Sequence, residues 1–341
     1  MDESPTKDRR LRDFGVNISC YFGDYRLAKA ACASIRYFMG DVPICLIIDG
    51  SWEPRELIRT YGVKFINKRN VKDQELKRES FGYGYTKMIE FWESPFERFL
   101  QIDADCVVWG DLSVYADFDN YDAIITAPES GYSQKQVDHL FFDTRKAEAL
   151  LPGFRWQDCR CGAGSYFAGT GVIDMREYFD MLALSRRDRR FFFPGEQGML
   201  NLLLWRSAQL GRLRVSTADY QVVPIEHTND EMRKQFPFKN GVPVVSGGPK
   251  LIHWGGGKNL ALDKQPYIEP LTFFRRRFLF DSGACETDEQ ADKLLAREDR
   301  VVDYYCRARF IPLKAKGFVR SLIVKCGVMK PDPRAAGPVA A

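Results

Sequence analysis

One stretch of the sequence, FLQIDADCVVWGDL at residues 99–112, constrains the fold more than any other. An apolar run ends at Asp103 and Asp105, two carboxylates separated by one small residue. Because alternate side chains of a strand share a face, both acids are predicted to project to one side at a strand's carboxyl end. Open α/β sheets bind their ligands there. A hard divalent cation, bound by the carboxylates and by a substrate diphosphate, would relieve the repulsion between the two charges. The alternative is a solvated acidic loop.

Apolar runs alternate with helical patterns through the first 130 residues, which predicts an α/β fold with a largely parallel sheet. The later part of the chain is less regular, and we expect it to surround the carboxyl edge of that sheet. The predicted strands are residues 16–22, 43–49, 63–66, 99–103, 123–127, 171–175, 220–223, 251–254 and a short one near 215. The predicted helices are residues 27–38, 56–61, 85–92, 196–205 and 287–309.

Composition is that of an ordinary globular protein, with 45% apolar and 28% charged residues in 341. The net charge of +4 is mild and gives no reason to expect a nucleic acid partner. The nine cysteines are scattered through apolar runs without a framework spacing, so we expect reduced thiols and a cytoplasmic protein. The charged start of the chain does not resemble a signal peptide, and we expect no membrane-spanning helix.

A histidine late in the chain is a candidate for the third metal ligand beside the acidic pair. His253 ends an apolar strand in LIHWGGGKN, where three glycines and Lys258 follow. Imidazole is a suitable ligand for ions such as Mn²⁺, while glycine amides and a lysine suit a phosphate. Taken alone, His253 would more often be a structural histidine. Together with Asp103 and Asp105 it is predicted to complete a site for Mn²⁺ or Mg²⁺.

Two further segments carry candidate functional side chains. Lys87 lies in a predicted helix just before the acidic strand, where periodicity alone favours a solvated lysine. Glu196 and Gln197 open the apolar helix EQGMLNLLLW. An acid at a helix start can simply favour the helix dipole. A carboxylate and an amide also match the hydroxyl groups of a sugar, which is the functional interpretation.

Taken in chain order, these segments resemble a glycosyltransferase of the GT-A fold, and especially glycosyltransferase family 8, which includes glycogenin and bacterial galactosyltransferases. The resemblance covers roughly residues 15–260 and is carried by NISCYFGDYRLAKAACASI, TKM, IDADCVVWGDL, GTGVIDM, EQGMLN and IHWGGGK. Several motifs in the right order are more specific than any one of them. The chain departs from the family pattern in four places. Gly169 stands where asparagine is usual, and the usual Pro-Trp after Lys258 is missing. Lys258 falls five residues after His253 rather than six, and Glu196 stands where aspartate is usual.

The resemblance implies a Rossmann-like GT-A domain that transfers a hexose from a nucleotide sugar, most simply a UDP-hexose, with retention of configuration. It implies a glycan, lipid-linked or protein acceptor. It assigns the metal to Asp103, Asp105 and His253, and catalysis to Asp103, Asp105, Lys258, Glu196 and Gln197. It assigns the donor to Ser19, Cys20, Tyr25, Lys87, Asp103, Ala104, Asp105, Gly171, Gly256 and Lys258, with Tyr25 stacking on the base.

Two other function classes share some of these features. A sugar-phosphate nucleotidyltransferase uses a similar sheet and metal, but it needs a Gly-rich, Arg-containing loop after its first strand. CYFGDYRLAK does not supply such a loop. A non-catalytic nucleotide- or carbohydrate-binding protein would bind these ligands without turnover.

The end of the chain is predicted to differ from the rest. We expect a flexible start at residues 1–13, a GT-A domain at 14–275, a basic helical extension at 276–330 and a disordered tail at 331–341. Seven lysines or arginines and no acid occur between Arg307 and Lys330. An apolar stripe with basic flanks could lie on an anionic membrane surface, which would make the protein peripheral on the inner face of a membrane. It could equally pack on the catalytic domain.

Overall fold

The structure is a computed structural model that describes residues 13–82, 84–162, 164–193, 195–255, 262 and 265–305. The chain forms two compact units that divide after Asp292. The strands are β1 Phe14–Tyr21, β2 Ile44–Asp49, β3 Lys64–Ile66, β4 Arg98–Asp103, β5 Cys106–Trp109, β6 Ala123–Thr126, β7 Tyr166–Gly169, β8 Val215–Ala218, β9 Gln221–Val222, β10 Phe238–Lys239, β11 Val242–Pro243 and β12 Lys250–His253. The α-helices are α1 Tyr25–Met39, α2 Arg55–Tyr61, α3 Gln74–Glu79, α4 Glu90–Glu93, α5 Gln134–Leu140, α6 Thr144–Leu150, α7 Met175–Arg187, α8 Gln197–Gln209, α9 Asn229–Gln235 and α10 Glu269–Asp281.

A seven-stranded sheet forms the centre of the first unit, in the order β3-β2-β1-β4-β7-β6-β8. β1, β2, β3 and β4 are parallel, β6 and β8 are parallel to each other, and β7 runs antiparallel to both of its neighbours. The predicted α/β fold with a mixed, mostly parallel sheet is therefore confirmed. In this arrangement the carboxyl ends of β1 and β4 meet at one edge, where Ser19 pairs with Asp103.

The large sheet is a middle layer with apolar packing on both faces. Along β2, Leu46 and Ile48 pack in one buried cluster, whereas Cys45 and Ile47 pack in the other. This alternation follows from the two-residue period of a strand. The first cluster includes residues of α1 and α10, and the second includes residues of α8. The continuous apolar run of β2, ICLII, is the expected consequence of burial on both faces.

A second sheet of three strands, in the order β5-β12-β9, positions the end of β12 beside the acidic pair. β12 runs antiparallel to β5 and parallel to β9. His253 pairs with Cys106, the first residue of β5. The turn between β4 and β5 therefore lies between the two sheets, and it contains Asp105.

Two of the predicted elements differ from the structure. The strand predicted at residues 171–175 is wrong, because the strand is β7 at Tyr166–Gly169. Gly171 has a φ of +83°, and Asp174 caps α7 by accepting from the Glu177 amide, so the later residues form a turn and a helix start. The helix predicted at residues 85–92 is a 3₁₀-helix at Tyr85–Ile89 followed by α4.

The end of the described chain is helical. The expected domain boundary after residue 275 falls inside α10, where Phe274 and Phe278 are buried in the same cluster as α1. Residues 293–305 of the second unit are helical. The proposed basic membrane-surface helix and the tail at 331–341 lie outside the described residues. Within the described residues, we find no helix with the length and apolar character needed to cross a bilayer.

Candidate active site

The acidic pair lies at the end of β4, as predicted. Asp103 is the last residue of the strand, and the amide of Ala104 donates to the Ser19 carbonyl at 3.1 Å. The chain then turns directly into β5. The side chain of Asp103 is 25% exposed, whereas that of Asp105 is only 6% exposed. The acids therefore differ in surroundings, one facing the cleft and one nearly buried.

His253 reaches the acids from the small sheet. Its Nε2 lies 3.4 Å from Asp105 Oδ1 and 3.6 Å from Asp103 Oδ2. The amide of Trp254 donates to the Asp105 carbonyl at 3.0 Å, which holds the end of β12 against the turn. Burial lowers the pKa of His253, but the hydrogen bond to Asp105 and the charges of both acids outweigh burial and raise it.

Lys87 is buried rather than solvated, and it bridges two carboxylates. Its ammonium lies 2.8 Å from Asp103 Oδ1 and 2.8 Å from Glu196 Oε1. Burial alone would lower the pKa of Lys87, but the two carboxylates raise it above its usual value, so the side chain is a cation at neutral pH. Lys87 lies in the 3₁₀-helix and Glu196 immediately precedes α8. The bridge therefore joins segments that are far apart in the chain.

A cleft of about 710 Å³ opens over these groups. Its walls carry Lys87, Asp103, Asp105, Glu196, Gln197 and His253, together with residues from the segments 126–140 and 219–226. Such a volume is within the range of pockets that hold a small organic ligand. The structure thus brings together six of the side chains that the sequence singled out.

Behind Lys87 lies a buried acid that sequence reasoning missed. Glu90 is fully buried one helical turn after Lys87, and it accepts a hydrogen bond from the Tyr166 hydroxyl. Asn17 lies beside the same carboxyl group. Burial raises the pKa of Glu90 well above its usual value, although Tyr166 and Lys87 act in the opposite direction. Burial thus favours the neutral form of the Glu90 carboxyl group.

Cys106 is a second side chain that the sequence did not single out. It is 1% exposed, and its sulfur, an Asp105 oxygen and a His253 nitrogen all lie within 4.8 Å of one another. Burial first, and then the charges of Asp105 and Asp103, raise the pKa of the Cys106 thiol. All seven cysteines within the described residues are free thiols. The sequence shows only that Cys106 directly follows Asp105. The pairing of β5 with β12 is what brings Cys106 next to His253.

Two glycines make room for the functional side chains. Gly84 has a φ of +87°, and a Cβ built there would lie 2.2 Å from Glu196 Oε2. Gly164 has a φ of +92°, and a Cβ there would lie 2.7 Å from His253 Nδ1 and 2.6 Å from Gln221 Oε1. Only glycine adopts these backbone angles readily and leaves such space. Both glycines therefore support the site without contributing a side chain.

The residues expected to hold a nucleoside lie beside the cleft but do not form its described lining. Ser19 accepts a hydrogen bond from Gln101 Nε2 at 2.8 Å, and Cys20 is buried. The Tyr25 ring contacts Trp52 edge-on at 5.0 Å between centroids, and the Lys29 ammonium lies 5.0 Å from its centroid. Tyr25 is therefore already packed by other groups. The ring exposed at this edge is Phe22, which is 41% exposed and contacts Trp52.

The other residues assigned to donor binding lie in different parts of the structure. Ala104 is buried in the turn between the acids. Gly171 lies away from the acidic pair: its amide donates to the Phe91 carbonyl, and Gly169, two residues earlier, pairs with Arg98 at the amino end of β4. Asp103 lies at the other end of that strand, roughly 17 Å away at the usual rise per residue. The assignment of Gly171 to donor binding stays a prediction. Gly256 and Lys258 lie outside the described residues.

The side chains of Asp103, Asp105 and His253 have the chemistry of ligands for a divalent cation. Two carboxylates and one imidazole are hard and borderline ligands that suit Mn²⁺ or Mg²⁺. Neighbouring ligands of an octahedral ion lie about 3 Å apart. The 3.4 Å and 3.6 Å separations between His253 Nε2 and the two acids approach that value. His253 Nε2 is therefore close enough to each acid to share such an ion with it.

No protein-family model and no curated protein matches this sequence. Solved structures with a similar backbone include galactosyltransferase LgtC in complex with donor and acceptor sugar analogs, at 13% identity and a TM-score of 0.49, covering 82% of this chain and 99% of LgtC. Glycosyltransferase GlyE of Streptococcus pneumoniae TIGR4 has 14% identity and a TM-score of 0.46, with 83% and 64% covered. Glucosyl-3-phosphoglycerate synthase from Mycobacterium tuberculosis, solved with Mn²⁺, UDP and phosphoglyceric acid, has 13% identity and a TM-score of 0.41, with 62% and 71% covered.

Proposed function

We propose that this protein is a metal-dependent glycosyltransferase that moves a hexose from a nucleotide sugar, most simply a UDP-hexose, to a glycan, lipid-linked or protein acceptor. The observation that carries the proposal is the convergence of two acids, an imidazole and a buried lysine in one cleft at the carboxyl end of β4. A nucleotide sugar has the matching chemistry, because its diphosphate needs cations and its sugar needs hydrogen-bond partners. The order of the sequence motifs supports the same class.

Asp103, Asp105 and His253 would hold Mn²⁺ or Mg²⁺. When bound, such an ion supplies a positive charge that stabilises negative charge on the departing diphosphate. Lys87 brings a permanent cation to the same place, since its two carboxylate partners keep it protonated. A preorganised cation in a partly water-excluded site lowers the barrier because it needs no reorganisation during the reaction.

Glu196 and Gln197 would orient the sugar. Both line the cleft, and Glu196 uses only Oε1 for its 2.8 Å contact with Lys87. A carboxylate and an amide accept and donate hydrogen bonds to hydroxyl groups. Lys258 and Gly256 would contact the diphosphate, and the nucleoside would lie near Ser19, Cys20 and the aromatic rings beside them. The resemblance suggests retention of configuration, with attack on the face from which the diphosphate leaves.

The test is release of nucleoside diphosphate from a panel of nucleotide sugars, with and without Mn²⁺. We expect metal-dependent release from one donor and loss of at least about a hundredfold in Asp105→Asn. The matched control is Asp111→Asn, because Asp111 caps the following 3₁₀-helix and asparagine caps a helix equally well. Metal-dependent nucleotide binding without release from any donor, also with acceptors supplied, would instead favour a non-catalytic binding protein. Absence of nucleotide binding would overturn the proposal.

A further inference from the structure

Asp105 and His253 also belong to a second set of possible metal ligands, in which Cys106 replaces Asp103. Cys106 and His253 are direct partners in the antiparallel pair of β5 and β12. Directly opposite residues project their side chains to the same face of the sheet. Asp105 precedes Cys106 in the chain and completes a group whose ligand atoms lie within 4.8 Å of one another. The thiol thus lies beside the proposed metal site.

The distances suit a small tetrahedral ion. With ligand bonds of about 2.0–2.3 Å, the ligand atoms of a tetrahedral ion lie roughly 3.5 Å apart. The Asp105 and His253 atoms already lie at 3.4 Å. The sulfur lies within 4.8 Å of both, so it needs to approach by about 1 Å or a little more. A change of that size is within reach of side-chain torsions at the start of a strand.

The chemistry of the set is also distinct from that of the acidic pair. One thiolate, one imidazole and one carboxylate are ligands typical of Zn²⁺, whereas thiolates are poor ligands for Mg²⁺ and Mn²⁺. We propose that Asp105, Cys106 and His253 form a site for a thiophilic divalent cation such as Zn²⁺. On binding, a bond forms between the metal and sulfur, and the thiol proton leaves to solvent. The site goes beyond the proposed function, since it requires no nucleotide sugar.

The neighbouring lysine explains why the two sets are separate. Lys87 lies 2.8 Å from Asp103 Oδ1, so Asp103 already has a cationic partner when a thiophilic ion is held by the other three side chains. The two sets share Asp105 and His253, and they therefore cannot hold two ions at once. Zn²⁺ should compete directly with Mn²⁺ for the centre.

The test uses Co²⁺ as a spectroscopic substitute for Zn²⁺ in the full-length chain. We expect a thiolate-to-cobalt charge-transfer band that Zn²⁺ abolishes by displacement. Cys106→Ala and Cys106→Ser should remove the band and weaken Co²⁺ binding at least tenfold or so. The matched control is Cys45→Ala, because Cys45 is equally buried in a strand but packs in the other apolar cluster. It should leave the band intact.

Asp103→Asn separates the two ligand sets and keeps the test valid if the Cys106 variants do not fold. It should retain the charge-transfer band while losing Mn²⁺ affinity. Failure of the proposed function, seen as no release from any donor, would leave these spectra unchanged. Absence of a thiolate band in the wild-type protein would overturn the proposal. An undiminished band in folded Cys106→Ala, or its loss in Asp103→Asn, would do the same.

Discussion

The carboxylate of Asp103 divides its two oxygens between different partners: Oδ1 lies 2.8 Å from the Lys87 ammonium and Oδ2 lies 3.6 Å from His253 Nε2. Lys87 therefore fixes the orientation of the acid and leaves one oxygen facing the position proposed for the metal. A buried lysine with a raised pKa also supplies charge that does not vary near neutral pH.

Replacing Lys87 by methionine should lower the rate of nucleoside diphosphate release on the order of a hundredfold, because a preorganised cation is removed from the cleft. The matched control is Lys146→Met. Lys146 likewise contacts two carboxylates, those of Asp143 and Asp188, but lies outside the cleft lining. Steady-state kinetics on both variants, with folding checked by circular dichroism, gives the comparison. Equal rates in the two variants would contradict a role for Lys87.

Gly84→Ala should both destabilise the protein and impair the site. The left-handed backbone penalises alanine by roughly 1–2 kcal/mol, and the new Cβ would displace the Glu196 carboxylate. Gly62→Ala is the control, because Gly62 has a φ of +64° and open space around it. Denaturant unfolding should show a loss of stability in both variants, at least as large in Gly84→Ala as in Gly62→Ala, whereas only Gly84→Ala should lose donor turnover. Normal turnover in folded Gly84→Ala would show that Glu196 needs no fixed position.

Gly164→Ala should weaken Mn²⁺ binding by about 10- to 100-fold, because its Cβ would push His253 or Gln221 away. Gly171→Ala provides the control with a similar φ of +83° and an open surrounding. Isothermal titration of both variants with Mn²⁺ measures the effect. If Gly171→Ala lost nucleotide-sugar binding instead, the predicted assignment of Gly171 to the donor site would be supported.

Glu90→Gln should stabilise the protein increasingly as the pH rises. The unfolded carboxyl has a pKa of about 4.3, while burial raises the pKa of Glu90 in the folded state. The folded state therefore retains a proton that the unfolded state releases. In the wild type, the contribution of Glu90 to the free energy of unfolding is fully present below about pH 4 and declines as the pH rises above it. Glutamine keeps an acceptor for Tyr166 without that proton.

The measurement is the free energy of unfolding of Glu90→Gln and wild type between roughly pH 4 and pH 8. The difference in favour of the variant should grow across this range. Glu148→Gln, on the outer helix α6, controls for the loss of one acid from the chain. A difference that stayed constant or shrank with rising pH would mean that Glu90 is ionised in the folded protein.

Much of the site could be predicted because its parts follow local rules. The acidic pair ends an apolar strand, and His253 ends another, so strand patterning alone placed both at sheet edges. The order of the motifs, which resembles that of a known family, then predicted that the acidic pair and His253 lie close together. Lys87 was harder, because helical periodicity made it a solvated residue, and only tertiary packing against Glu196 buries it.

The features that the sequence did not predict depend on long-range register. Nothing near Cys106 indicates that it pairs with His253, and nothing near Gly84 indicates that Glu196 approaches it. The wrong strand prediction at residues 171–175 has a local cause: GTGVID has the pattern of a buried strand, although the apolar SYFAG before it forms β7. Short apolar runs do not distinguish between such neighbours.

The position of His253 in the last strand of the described chain has a consequence for biosynthesis. Asp103 and His253 are 150 residues apart (253 − 103), and β12 is the middle strand of its sheet. During synthesis on the ribosome, both acids and Lys87 would be present in the growing chain long before His253 is added. Cation affinity would therefore rise only once β12 is in place, and metal would stabilise the finished domain in preference to its partly made precursors.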